Sequence, residues 1–172
     1  MAIIRSYNGV QPEIGPNAFV AETAALVGAV RVGAGSSIWY SATLRGDVDS
    51  ITVGARTSIQ DGCVLHCERG APCVVGDDVT VGHNVTLHGC TVENGAVIGI
   101  GATVLNRAVI GAGAVVAAGA LVTEGAVVPP GMVAMGVPAK AVREVTEAEK
   151  NRFRANAEHY VLLAQEFLAD SA

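Results

Sequence analysis

Aliphatic residues recur every six positions along most of this chain, in four runs. Ile14, Val20, Leu26, Val32, Ile38 and Leu44 make the first; Val53, Ile59 and Leu65 the second; Val75, Val81 and Leu87 the third. The last, Val92, Ile98, Val104, Ile110, Val116, Val122 and Val128, holds phase seven times. Four residues after each of its members stand Ala96, Ala102, Ala108, Ala114, Ala120, Ala126 and then Met132. A helix cannot use this period, because six residues advance it by roughly 240° and scatter the aliphatics to three sides. A strand alternates every two residues, which divides six, so each repeat can be a short strand with its leading aliphatic pointing inward. Such hexapeptide repeats predict a parallel β-helix, in which each coil covers its neighbour's apolar face. Aromatic residues make up only 4% of the chain against 51% hydrophobic, which suits a narrow interior of medium-sized side chains better than a β-sandwich.

From Thr146 the period changes. Thr146 followed by Glu149 is a capping box, and Phe153, Ala157, Tyr160, Ala164 and Phe167 recur at helical spacing. The expected organisation is a β-helix over residues 1–145 and an amphipathic helix over residues 146–172. Phe153, Tyr160 and Phe167 should pack that helix on the coils. Val137-Pro138-Ala139-Lys140 should end the coils and lead into it.

Charge and cysteine content narrow the function classes. The net charge is −5 with no block of like charges, so neither nucleic acid nor an anionic membrane is expected as a partner. The uncharged stretch from Ala108 to Thr123 is glycine-studded and shorter than a membrane span. The opening MAIIRSYNGV has no extended apolar core, so no signal peptide is expected. Cys63, Cys67, Cys73 and Cys90 lack paired spacing and read as reduced thiols of a cytoplasmic protein.

The chemistry lies where the beat breaks. Three residues are inserted between Leu44 and Val53, four between Leu65 and Val75, and one is lost between Leu87 and Val92. Insertions in a solenoid bulge at a corner and leave the stack intact. With three faces per coil, Leu44, Leu65 and Leu87 fall on one wall, and the residues that follow them, Arg45, His66 and His88, form a column at the strand spacing of about 4.8 Å. Two imidazoles so placed can lean toward one metal ion. The same count stacks Asp61 and His83 in a second column across a corner. If that corner keeps His83 from reaching its own chain's pair, the third ligand must come from another copy of the chain, as in a threefold assembly.

Arg45-Gly46-Asp47, Gln60-Asp61-Gly62, Leu65-His66, Val81-Gly82-His83 and Leu87-His88-Gly89-Cys90, together with the repeat over nearly the whole length, resemble the γ-class carbonic anhydrases. The resemblance implies a left-handed, three-sided parallel β-helix with a C-terminal helix, assembled as a homotrimer. It further implies a zinc ion, with Fe²⁺ or Co²⁺ as alternatives, held by His66 and His88 of one subunit and His83 of the next. The implied reaction is reversible hydration of CO₂ to bicarbonate by metal-bound hydroxide at the subunit interface. Arg45 would pair across that interface with Asp61, Gln60 would orient the water, and Asp47 would be a further acid of the site.

The chain departs from the best-known active members of that family in lacking their long acidic loop between the first two histidines. Here the insertion is CERGAPC, with Glu68 its sole acid; Val48 replaces a glutamate and Ser58 an asparagine. Fast proton transfer is therefore not expected. Two other functions fit the same residues: acyl or CoA-thioester chemistry (a transferase or thioesterase), and a non-catalytic metal-stabilised scaffold.

Overall fold

The structure, a computed structural model, describes residues 2–170. It is mainly β, a parallel β-solenoid closed at one end by a hairpin and flanked by one helix. The hexad aliphatics form its three walls. Leu26, Leu44, Leu65, Leu87, Val104 and Val122 pair in register up the first. Ile14, Val32, Val53, Val75, Val92, Ile110 and Val128 climb the second. Val20, Ile38, Ile59, Val81, Ile98 and Val116 climb the third. Two long strands, Ala25–Val32 and Thr43–Val53, turn a corner and join the first two walls into one 12-stranded sheet, while the third wall is an 8-stranded sheet.

Each rung from Leu26 upward is buried, with no more than 4% of its surface exposed. Ala96, Ala102, Ala108, Ala114 and Ala120 are buried with the beats, and Ala126 partly so, because only a small side chain fits where the chain turns between walls. The first rung differs. Ile14 is 41% exposed, since its coil is the outermost and only Val32 backs it. At the other end the chain does more than lead into a helix: Met132–Gly136 and Ala139–Glu144 form an antiparallel hairpin on the edge of the third wall. That hairpin covers one side of an edge that would otherwise be open to pairing with another chain.

The helix spans Glu147–Asp170, and its capping box is formed: Glu149 N–H donates to Thr146 Oγ1 at 3.3 Å and Thr146 N–H donates to Glu149 Oε2 at 3.0 Å. It lies on the third wall, where Ala164 is buried among Phe19, Ala21 and Trp39. Phe167 meets Phe19 and Trp39 at 5.3 Å between ring centroids, and Tyr160 stands edge-on to Trp39 at 5.7 Å. Phe153 is outside this cluster; it lines a groove of about 640 Å³ beside the helix. The Trp39 indole N–H donates to both Ser37 and Ser58 hydroxyls, so Ser58 anchors the ring on which the helix rests. No helix among the described residues is long and apolar enough to cross a membrane.

Candidate metal centre

Strand register puts Arg45 beside His66 and His66 beside His88 on consecutive rungs of the first wall. Their neighbours Leu44, Leu65 and Leu87 point inward and are fully buried, so alternation turns the column outward. The insertions leave this ladder intact: one is accommodated within the long corner strand, the other as a small loop closed by the Glu68–Ala71 bridge. On the third wall Ile59 pairs with Val81, which stacks Asp61 on His83.

Each of the three histidines His66, His83 and His88 is gripped on one side by an acceptor oxygen. His66 Nε2 lies 3.0 Å from Asp47 Oδ1, His83 Nδ1 2.8 Å from Asp61 Oδ2, and His88 Nδ1 2.6 Å from Asn106 Oδ1. A carboxylate or amide oxygen can only accept, so in the neutral rings these nitrogens carry the proton and the opposite nitrogens keep their lone pairs. For His66 and His88 the freed nitrogens, Nδ1 and Nε2, face each other at 3.0 Å. Two lone pairs held face to face at that distance repel unless a proton or a cation sits with them. Two nitrogens sharing a zinc ion must lie within about 4 Å of each other, twice the metal–nitrogen bond. The donor set and its spacing therefore fit a divalent metal, and the outer acceptors are of the kind that orient metal-bound imidazoles.

Asp47 also accepts from Arg45 Nη1. Burial pushes the Asp47 carboxyl up, but the hydrogen bonds from His66 and Arg45 outweigh it and hold the group below the usual carboxylate range. Gln60 is buried at the end of the third wall and hydrogen-bonds Tyr160 of the helix. Burial, and then the nearby Asp61 charge, push the Tyr160 phenol up.

The structure thus brings Arg45, Asp47, His66 and His88 into one cluster and Gln60, Asp61 and His83 into another. Within one chain Arg45 meets Asp47, and Asp61 meets His83. Among the described residues no three His, Cys, Asp or Glu side chains converge on one metal position inside a single chain. Two contributors were missed from sequence, Asn106 and the contact that Glu68 makes with it. Extending the column one rung past His88 reaches Leu105 and then Asn106, so the register held the signal. The cysteines are packing groups: all four are free and buried.

A prism of hexapeptide coils carrying histidine columns on its outer walls defines a protein of the hexapeptide-repeat β-solenoid class. No protein-family model matches the sequence. Relatives do. The chain is 49% identical over 152 residues to the "Probable carbonic anhydrase" of Methanocaldococcus jannaschii, covering 88% of this chain and 96% of that one. It is 56% identical over 167 residues to the mitochondrial gamma carbonic anhydrase 3 of Arabidopsis thaliana, covering 94% of this chain and 65% of that protein's length. Among solved structures, a hexapeptide transferase family protein from Anaplasma phagocytophilum superposes with a TM-score of 0.93 at 42% identity, over 96% of this chain and 98% of that one. The chain belongs to the γ-class carbonic anhydrase family.

Proposed function

We propose that this protein is a metal-dependent carbonic anhydrase, hydrating CO₂ reversibly to bicarbonate in the cytoplasm as a homotrimer. His66 and His88 of one copy and His83 of its neighbour would hold the metal. The observation that carries this reading is the arrangement of the three imidazoles, each with one nitrogen engaged by an acceptor and the other left with its lone pair. Three neutral imidazoles suit zinc, with Fe²⁺ or Co²⁺ as alternatives. When bound, such an ion supplies hydroxide near neutral pH by lowering the pKa of a coordinated water.

The chain's own residues prepare that chemistry. Asp47 holds the proton on His66 Nε2 and steadies Arg45. Arg45 and Asp61 carry opposite charge on the two columns that the trimer brings together, so their pairing between copies would align the three ligands. Gln60, buried and tied to Tyr160, offers a fixed amide to orient a water. Proton export is the weak point, because Glu68 is already engaged by Asn106 and Arg107. Turnover should therefore be slow and should rise with buffer concentration.

Metal analysis of anaerobically purified protein, followed by stopped-flow CO₂ hydration on the same sample, tests the reading. It predicts about one metal per chain in a threefold-symmetric assembly and measurable hydration, both lost in His66→Ala. Full metal occupancy without hydration would contradict it. Likeness to a solved Bacillus cereus structure named "putative acetyltransferase", 40% identical with a TM-score of 0.95, supports a second reading, acyl or CoA-thioester transfer. Turnover of a thioester by metal-free protein would favour that reading; full metal with neither activity would favour a scaffold.

A further inference from the structure

Of the three histidines, His88 alone is held by an amide, and an amide is ambivalent. Asp47 and Asp61 can only accept from His66 and His83, but the Asn106 carboxamide presents an acceptor or a donor depending on which way it is turned. With Oδ1 toward the ring, the proton sits on His88 Nδ1 and Nε2 faces His66. With Nδ2 toward the ring, Nδ1 would have to accept, and the proton would move to Nε2, closing off the nitrogen that faces His66.

The orientation is decided outside the column. Asn106 Nδ2 donates to Glu68 Oε2, and a carboxylate accepts only, so the amide nitrogen is committed to that side. Glu68 is in turn held by Arg107 Nη2 at 3.3 Å, whose Nη1 donates to Glu124 at 2.7 Å. Gly89, with φ of +55°, leaves the space the amide occupies; a Cβ there would stand 2.5 Å from Asn106 Oδ1. The side chains of Glu68 and Arg107 are each about half exposed, so this ion pair adds little to fold stability. What it supplies is direction.

We propose that Glu68, acting through the Asn106 carboxamide, is a positioning residue that sets the tautomer of His88 and so leaves its Nε2 free for the metal. This rests on the metal reading above. It gives the sole acid of the CERGAPC insertion a role other than carrying protons.

The test compares wild type, Glu68→Ala, Asn106→Ala and the double variant Glu68→Ala/Asn106→Asp as intact chains. The two readouts are ¹⁵N-histidine NMR of zinc-free protein at a pH where the rings are neutral, and zinc affinity by competition with a chromogenic chelator. Wild type should show His88 as the Nδ1–H tautomer. Glu68→Ala should show a mixture with Nε2–H and bind zinc several-fold more weakly, and Asn106→Ala should lose about 10–100-fold. The double variant should recover both the tautomer and most of the affinity, because a carboxylate at 106 can present only acceptors and needs no neighbour to orient it. An unchanged tautomer and unchanged zinc affinity in Glu68→Ala would overturn the proposal. If wild type takes up no zinc at all, the metal reading falls, and the tautomer comparison still judges the role of Glu68.

Discussion

Leu65 and His66 are adjacent in sequence, and the fold assigns them opposite fates, so truncating each to alanine is a sharp trial of the architecture. Leu65 is fully buried, stacked between Leu44 and Leu87 inside the prism. His66 points outward, its side chain 18% exposed, hydrogen-bonded to Asp47 and facing the His88 ring. Leu→Ala at a buried site costs about 2.7–5.0 kcal/mol, the larger values belonging to sites that cannot collapse. Strand ladders above and below Leu65 fix the walls, so the cavity should persist and the cost should be about 3–4 kcal/mol. For a chain of this size, each kcal/mol lowers Tm by roughly 2–4 °C, which gives a fall of roughly 6–16 °C. His66→Ala forfeits one partly buried hydrogen bond, and Asp47 keeps Arg45 as a partner, so it should cost about 1–2 kcal/mol in metal-free protein. Urea unfolding and differential scanning calorimetry, both with chelator present, measure the two. Equal losses from both variants would refute the inward–outward alternation on which the histidine column depends.

Two further outcomes follow from groups away from the column. The Arg143 guanidinium, then the backbone and hydroxyl of Thr146, hold the Glu149 carboxyl down at about 2. A depressed folded value means that its contribution is fully present above the unfolded value of about 4.3 and is lost as pH falls toward the folded one. The first turn of the helix should therefore fray between about pH 4 and pH 2, visible in amide shifts of Thr146–Lys150 and flattened in Glu149→Gln. Burial pushes the Cys63 thiol up to about 11, and Cys67 and Cys73 are also raised, Cys73 chiefly by its hydrogen bond with Cys90. A disulfide-exchange reagent at about pH 8 should leave all four buried cysteines untouched in native protein and titrate them on unfolding; prompt reaction before unfolding would contradict that packing.

The walls were legible because a period of six admits one periodic solution, and the column was legible because inserted residues at corners do not alter register. Leu44, Leu65 and Leu87 could be stacked by counting alone. Other features were hidden for physical reasons. Met132–Gly136 still keeps the beat, with Ala134 beside Val116 on the third wall, but the returning strand Ala139–Glu144 looks like a tail, since its antiparallel pairing is set by the turn and leaves no hexad. Ile14 keeps the beat yet is exposed, because burial depends on having a coil on both sides. Trp39 carries no periodic signal, and its role emerges only when the helix arrives from more than a hundred residues away. Asn106 lay one rung beyond the last histidine, and its grip on His88 depends on an amide orientation that no spacing reveals.

Whether the metal is shared between copies is tested most directly by complementation. His83→Ala chains keep the His66–His88 pair, and His66→Ala/His88→Ala chains keep His83, so neither should form a complete site alone. Co-expressed and purified as mixed trimers, they should regain about a third of the wild-type metal content and activity, since a ring containing both chains has one complete interface of its three. Mixed trimers that stay as empty as either parent, or His83→Ala chains that hold wild-type metal alone, would contradict a site built from two copies.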